Sequence, residues 1–517
     1  LHTTNKKKAI VIGSGFGGLA ASIRLQVMGF DTTLIEKLDK PGGRAYVWEQ
    51  DGFKFDAGPT VVTAPHCLEE LFKLANKNMS DYVTLMPVDP MYRLFWEDKT
   101  VFDYTGVEKD LLENIERLAP DDVEGYSKFQ RYATKVFEKG YLQLGHVPFL
   151  KIRDMLAVAP DLIKLQAHRS VYSIVSKFVK EPKLRQAFSF NSLLIGGNPF
   201  IASAIYTLIH PLEKKWGAWF PKGGMHALIR ALTKLFQDCG GKLHLSTPVE
   251  SIETADGKVT GIKTADGKFF PADLVVSNAD ITHTYSHLLK NEPKLKGKAR
   301  SVERKRHSPS LFLVYFGTNK AFDGLLMHNV MFGRRYKELL QDIFDNGKLA
   351  DDFSLYLHAP SVADPSLAPE GCHSFYALAP VPNQVKAKID WQKEAPIYRD
   401  KIVNYLEKNY MPGLKDSIVT EKVFTPDDFT SRLHAYAGSA FSLEPILTQS
   451  AWFRTHNRDS TIEGLYFCGA GTHPGAGIPG VVGSGKATAD VIASDFGFKK
   501  YSEASNAFST ELINAGV

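Results

Sequence analysis

No run of about 18 consecutive apolar residues occurs in this 517-residue chain, so no segment is expected to cross a bilayer as a helix. Cysteine is scarce. Cys67, Cys239, Cys372 and Cys468 are scattered without C-x-x-C spacing and read as free thiols in a reducing compartment, against a disulfide-built secreted chain. Neither sign of charge dominates: 62 Lys and Arg stand against 57 Asp and Glu, and a net +5 is too small to imply nucleic acid. A hydrophobic signal core is missing too, because Asn5-Lys6-Lys7-Lys8 runs directly into the first apolar stretch, and Leu1-His2 in place of a methionine reads as an added remnant. What remains, at 44% hydrophobic and 23% charged residues, is the composition of an ordinary soluble globular protein. Its length exceeds the roughly 250–300 residues at which one core stops growing, so at least two domains are expected. Lying on a membrane surface stays compatible with all of this.

The clearest pattern is Lys8-Ala-Ile-Val-Ile-Gly13-Ser-Gly15-Phe-Gly17-Gly18, followed by an apolar helix pattern and by Thr33-Leu-Ile-Glu36. Read as strand, glycine turn, helix and second strand, it sets Gly13, Gly15 and Gly18 in a G-x-G-x-x-G fingerprint with an acid 23 positions past the first glycine. Gly13 allows the tight turn, Gly15 leaves room for a pyrophosphate, and Gly18 lets the helix pack close to the strand, with the phosphates at the positive helix end. Glu36 suits a ribose diol and repels a 2′-phosphate. These residues predict a dinucleotide site and leave NAD and FAD open.

Two further glycine turns follow closely, Lys40-Pro41-Gly42-Gly43-Arg44 and Gly52-Phe-Lys-Phe-Asp56-Ala-Gly58-Pro59-Thr60. Arg44 could hold a phosphate or a flavin edge, and paired turns suit a long bent ligand such as FAD better than NAD. Around 241–278 the hydrophobic period shortens to two, broken by Asp256-Gly257 and Asp266-Gly267, which predicts a β-meander before Leu274-Val-Val276-Ser277-Asn278. Near the end, Gly464-Leu-Tyr-Phe-Cys-Gly469 enters a loop with six glycines between 469 and 483, and Pro479 marks a helix start. Such glycine density costs folding entropy, and a helix start there would stabilise a reduced, anionic flavin ring. The cofactor domain is therefore expected to be assembled from discontinuous pieces.

Between Lys151 and Arg185, eight cations oppose three acids and alternate with Ile152, Leu156, Ile163, Val171, Ile174, Val175 and other apolar residues. This composition suits an amphipathic surface on anionic lipid; a solvated basic face of a helical layer is the plain alternative.

The N-terminal fingerprint, Gly43-Arg44, Phe55-Asp-Ala-Gly-Pro-Thr60 and above all Gly469-Ala-Gly-Thr-His-Pro-Gly-Ala-Gly-Ile-Pro-Gly480 resemble the bacterial-type phytoene desaturases. The likeness extends through Gln186-Ala-Phe-Ser-Phe190, Tyr206-Thr-Leu-Ile-His210, Trp219-Phe-Pro-Lys-Gly-Gly224 and Leu447-Thr-Gln-Ser-Ala-Trp-Phe453. It implies an α/β flavoprotein of the amine-oxidase and GDI-like superfamily: a discontinuous Rossmann-like FAD-binding domain (1–75, 222–300, 440–500), a mixed-sheet substrate domain (76–124, 210–221, 301–439) and a helical membrane-associating region (125–209). FAD would be held by Gly13, Gly15, Phe16, Gly17, Gly18, Glu36, Lys37, Gly43, Arg44, Gly58, Pro59, Thr60, Val249, Gly469, Ala470, Pro479, Gly480 and Val481. The implied reaction is stepwise desaturation of 15-cis-phytoene, commonly as far as lycopene, by hydride transfer to flavin N5. Phytoene and other apolar carotenoids would be the partners, no metal and no nucleic acid is implied, and oxygen or a quinone would accept the electrons. The expected location is cytoplasmic, peripheral on the cytoplasmic membrane, where a homo-oligomer is compatible with the pattern.

Desaturation also releases a proton. Asp154, oriented by Arg153, is the candidate acceptor, as a charged pair inside an apolar region; an exposed ion pair is the alternative. His283 and His287 are spaced like a zinc pair without a third ligand nearby, and His473 is either a flavin neighbour or a shaper of its loop. The competing functions are a carotenoid isomerase, a flavin amine oxidase, and a non-enzymatic GDI-like lipid carrier.

Overall fold

A computed structural model describes residues 6–499; the Leu1-His2 start, Asn5 of the basic lead-in and residue 500 of the expected cofactor domain lie outside the described residues. Five parallel strands form one sheet in the order Leu465–Phe467, Leu274–Ser277, Lys8–Ile12, Asp31–Ile35 and Lys242–His244. Its central strands are apolar runs buried on both faces, as a covered parallel sheet requires. Alternate residues divide between two cores. Ala9, Val11, Leu34, Leu274 and Val276 face a helical layer, whereas Ile10, Ile12, Ile35, Val275 and Leu465 face an antiparallel meander.

That meander comprises Val249–Ala255, Lys258–Thr264 and Phe269–Pro271. At its first turn Asp256 and Gly257 both have positive φ, 52° and 79°, the backbone a two-residue hairpin demands. On the other face, helix Phe16–Met28 packs against helix Ile478–Phe496, so chain segments more than 400 residues apart lie side by side. The approach is close enough that a Cβ on Gly485 would stand 2.9 Å from Ala20 Cβ and 3.0 Å from the Ala21 amide nitrogen.

A second sheet of seven strands runs Ile418–Phe424, Ser310–Thr318, His373–Val381, Leu355–His358, His328–Phe332, Tyr92–Trp96 and Val101–Tyr104. It is mixed, because His328–Phe332 and Tyr92–Trp96 pair in parallel while the other neighbours are antiparallel. The hairpin of Val47–Gln50 and Phe53–Asp56 follows the cofactor strands in sequence yet packs on this sheet, with Phe53 and Phe55 among Leu311, Leu313 and Tyr315.

The basic stretch divides in two. Helix Ile152–Lys164 has no buried residue, and Ile152, Leu156 and Ile163 stand 50%, 65% and 71% exposed. Helix Val171–Phe178 instead buries Val171, Ile174 and Val175 in the core, so its apolar residues are packing residues. Among the described residues no helix is long and apolar enough to cross a membrane.

The closeness of the two long helices makes Gly485 a sensitive position. Gly485→Val is expected to destabilise the fold by about 1–3 kcal/mol through overpacking and to lower the melting temperature; an unchanged Tm in calorimetry would show that the helices can separate without cost.

Candidate active site

One amide organises the glycine turns. Asn278 follows the strand Leu274–Ser277, at the carboxyl end of the parallel sheet where α/β proteins place their ligands. Its Nδ2 donates to the Gly13 carbonyl at 3.2 Å. A Cβ on Gly17 or on Gly469 would meet Asn278 Oδ1 at 2.6 Å, and one on Gly15 would meet Nδ2 at 3.2 Å. These glycines therefore make room for a side chain of this protein as well as for a ligand. Gly18 stands behind the turn, where a Cβ would fall 1.9 Å from the Gly13 oxygen. It does not line the cavity, and its role is the close packing of helix on turn, so its place among the cofactor contacts is corrected.

The other glycine-motif residues border one continuous cavity of about 540 Å³. Gly13, Gly15, Phe16, Gly17, Glu36, Lys37, Gly43 and Arg44 line it from the first segment, and Val249 from the start of the meander. Gly469, Ala470, Pro479, Gly480 and Val481 line it from the last segment, and helix Ile478–Phe496 directs its positive N-terminal end there. The buried Glu36 carboxylate accepts from the Ser14 amide at 2.9 Å, from Ser14 Oγ at 2.6 Å and from the Leu38 amide at 3.0 Å, so it braces the turn while keeping lone pairs for a ribose.

Arg44 provides the test of fit for a cofactor. It is half-buried at the cavity wall, its Nη2 has only a long contact to the Ser439 carbonyl at 3.4 Å, and its buried Nε has no partner. Burial lowers its pKa, while the nearby Asp280 opposes that shift. An anionic or carbonyl-bearing ligand in the cavity would satisfy those donors.

Gly58, Pro59 and Thr60 also line the cavity, but tyrosines of the seven-stranded sheet hold them. Tyr376 donates to the Gly58 carbonyl at 2.9 Å, Tyr315 to the Ala57 carbonyl at 2.9 Å, and Tyr356 Oη lies 2.7 Å from Thr60 Oγ1. Beyond this loop the walls become apolar, with Leu194, Ile195, Val330, Phe332, Leu340 and Phe441.

Asp154 and Arg153 are not part of the cavity. Asp154 accepts from the Lys151 amide at 2.9 Å and caps helix Ile152–Lys164, while Arg153 is 77% exposed. The physical reason is local: an acid at the third helical position answers unpaired amides, and this helix lies on the surface. His473 is buried with Nε2 3.1 Å from the Leu144 carbonyl, and it shapes the loop. His283 stacks on His287 and on His434, with ring centroids 4.9 and 4.4 Å away, and among the described residues no group of three or more His, Cys, Asp or Glu is arranged to hold a metal. Residues missed from the sequence include Asn278, Tyr356 and Glu213. Only Asn278 carried a signal, its position directly after a parallel strand.

A glycine clamp on a parallel sheet, opening into an apolar chamber walled by a mixed sheet, defines a dinucleotide-dependent oxidoreductase. Residues 16–493 match the family of flavin-containing amine oxidoreductases, and the chain belongs to that family. Its cofactor is FAD, which the clamp and the unpartnered Arg44 Nε fit. A lycopene-forming phytoene desaturase from Pseudescherichia vulneris is 56% identical over 489 residues, covering 95% of this chain and 99% of that protein. One from Pantoea ananas is equally similar, 56% identical with the same coverage. Within the family the chain thus belongs with the phytoene desaturases. The solved cyclohexylamine oxidase of Brevibacterium oxydans shares the fold, with a TM-score of 0.60 and 16% identity over 95% of this chain and 99% of that one.

Replacing Arg44 by Met is expected to weaken FAD binding about 10- to 100-fold, the loss of a buried charge-assisted contact. Titration of apoprotein with FAD measures it; an unchanged Kd would remove Arg44 from the cofactor site.

Proposed function

We propose that this protein desaturates phytoene stepwise to lycopene on a membrane surface. The observation that carries the reading is the cavity itself, a glycine clamp continuous with an apolar chamber, in a chain 56% identical to a lycopene-forming phytoene desaturase. Bound FAD supplies a two-electron oxidant for each double bond introduced. The chain's own residues bind and orient. Asn278 holds the two glycine segments together, Glu36 and Arg44 grip the dinucleotide, and Tyr356 and Tyr376 fix the loop at 58–60. Leu194, Ile195, Val330 and Phe332 position a hydrocarbon by shape and exclude water from the reacting carbons.

A C40 hydrocarbon resides in the bilayer, because each CH₂ returned to water costs about 0.8 kcal/mol. Collecting it requires contact with lipid, and the exposed stripe of Ile152, Leu156 and Ile163 supports such contact. These residues are four and seven apart and share one face of a helix with no buried residue, while Lys164, Arg169 and Lys177 are exposed on and beside it. The site of action is then the cytoplasmic membrane surface, with oxygen or a membrane quinone as terminal acceptor and room for a homo-oligomer on the lipid.

Anaerobic incubation of the FAD-loaded protein with phytoene liposomes is expected to bleach the flavin and produce conjugated-polyene absorbance. A change of double-bond geometry alone would favour an isomerase, peroxide from amines an amine oxidase, and binding without bleaching a carrier. In flotation with anionic liposomes the protein is expected to rise with the lipid, and charge reversal at Lys164, Arg169 and Lys177 to abolish this; unchanged flotation would remove this helix from the membrane face.

A further inference from the structure

A line of buried polar side chains leads from the apolar half of the cavity to the surface. It begins at Glu213, in helix Ile209–Trp216, which is 1% exposed and lines the cavity. Tyr92 donates to its Oε1 at 2.9 Å, Asn191 donates to its Oε2 at 2.7 Å, and the nearby Tyr104 hydroxyl favours its ionised form. Tyr104 bonds to Nδ1 of His210. On the other side of that ring, Nε2 lies 3.2 Å from the Tyr126 hydroxyl. Lys214 Nζ contacts the same hydroxyl at 3.3 Å and pairs with Glu108. Tyr104, Tyr126 and His210 are buried, whereas the Glu108 side chain is 47% exposed.

Three carboxylates line the cavity among the described residues, and two stand at the dinucleotide end. Glu36 braces the glycine turn, and Asp280 Oδ1 caps the short helix Ile281–His283. Glu213 alone faces the apolar half. An ionisable acid there is costly to bury, and packing alone would be served as well by an apolar side chain.

We propose, on the desaturase reading above, that Glu213 accepts the proton released in desaturation and that Tyr104, His210, Tyr126 and Lys214 conduct it to Glu108 and bulk water. The balance closes for each double bond. One C–H bond breaks with both electrons leaving as hydride to the oxidant, FAD. The neighbouring C–H bond gives its proton to a Glu213 oxygen, forming an O–H bond, and its electron pair becomes the new π bond. Glu213 then donates to the Tyr104 oxygen as Tyr104 passes its own proton to His210 Nδ1. His210, in its Nε2–H tautomer, releases that proton to Tyr126, and Tyr126 donates to neutral Lys214. The Lys214 ammonium discharges to Glu108 or water, and reorientation of the hydroxyls and the ring restores the line.

The environments suit these roles. Burial pushes Glu213 up to about 8 and Lys214 down to about 8, so the two ends of the relay hold a proton with comparable strength. Burial pushes His210 down to about 3, which keeps it neutral and able to relay. The groups facing Glu213 are Tyr92 and Tyr104 from the sheet and Asn191 from the turn Phe190–Ile195, and the other titratable groups of its own helix are His210 and the lysines Lys214 and Lys215. A base acts in its deprotonated form, so proton removal accelerates as pH rises through about 8.

The test uses FAD-loaded protein mixed anaerobically with phytoene liposomes, with the rate of flavin reduction as readout. Glu213→Gln is expected to retain FAD and slow reduction about 100-fold or more, with loss of the rise through pH 8. Infrared spectroscopy without substrate is independent of turnover. A protonated carboxyl band is expected at neutral pH, absent in Glu213→Gln, and its exchange in D₂O is expected to slow at least tenfold in Tyr126→Phe, which lies outside the cavity. Wild-type reduction rates in Glu213→Gln overturn the proton acceptor, and wild-type exchange in Tyr126→Phe overturns the relay. Should Glu213→Gln not fold, Glu213→Asp takes its place, with a smaller slowing expected and an unchanged rate again overturning the acceptor. If phytoene fails to bleach the unmodified protein, the desaturase reading falls, while the infrared arms still decide whether Glu213 carries the exchangeable proton.

Discussion

The Asn278 side chain lies wedged between the first glycine turn and the loop at 469. Its amide donates to the Gly13 carbonyl, and its oxygen occupies the space that a Cβ on Gly17 or Gly469 would need. Three segments distant in sequence meet around this one group: the first strand and turn, the end of the strand Leu274–Ser277, and the start of the last loop. An amide lost from this half-buried position would leave the Gly13 carbonyl without that partner and a gap where two backbones converge, so the clamp depends on it both polarly and sterically. The close packing of Phe16–Met28 against Ile478–Phe496 continues the same constraint, since the first helix starts at this junction and Gly485 of the second lies against its opening turns.

The clamp is completed from the other sheet. Tyr315, Tyr356 and Tyr376 hold the loop at 57–60 by its carbonyls and by Thr60, so the geometry at the cofactor is set partly by the seven-stranded sheet. His328 Nδ1 lies 2.7 Å from Tyr356 Oη, and its ring stacks on His358 at 5.2 Å. Buried, satisfied hydroxyls of this kind rigidify a wall more than apolar contacts do, because their partners have defined directions. The chamber beyond remains apolar, which matches a substrate recognised by shape.

The helical layer serves two ends with similar composition. In Val171–Phe178 apolar residues turn inward and join the main core, while in Ile152–Lys164 Ile152, Leu156 and Ile163 turn outward to solvent. Asp154 belongs to the second helix as its cap, where its charge answers the backbone amides.

Much of this protein was legible from residue order alone. The glycine fingerprint, the period-two meander with its Asp-Gly turns and the dense glycine loop are local signals, since each follows from backbone freedom or side-chain alternation over a few residues, and together they carry the parallel sheet, the FAD and the family. The tertiary structure decided what depends on residues far apart. It placed Asn278 against both glycine segments, moved Gly18 behind the turn and Asp154 to a helix end, separated outward from inward apolar faces in the basic stretch, and set Glu213 beside the buried line of Tyr104, His210 and Tyr126. No spacing rule announces such contacts, because they arise only when two sheets and a helical layer close around the same cavity.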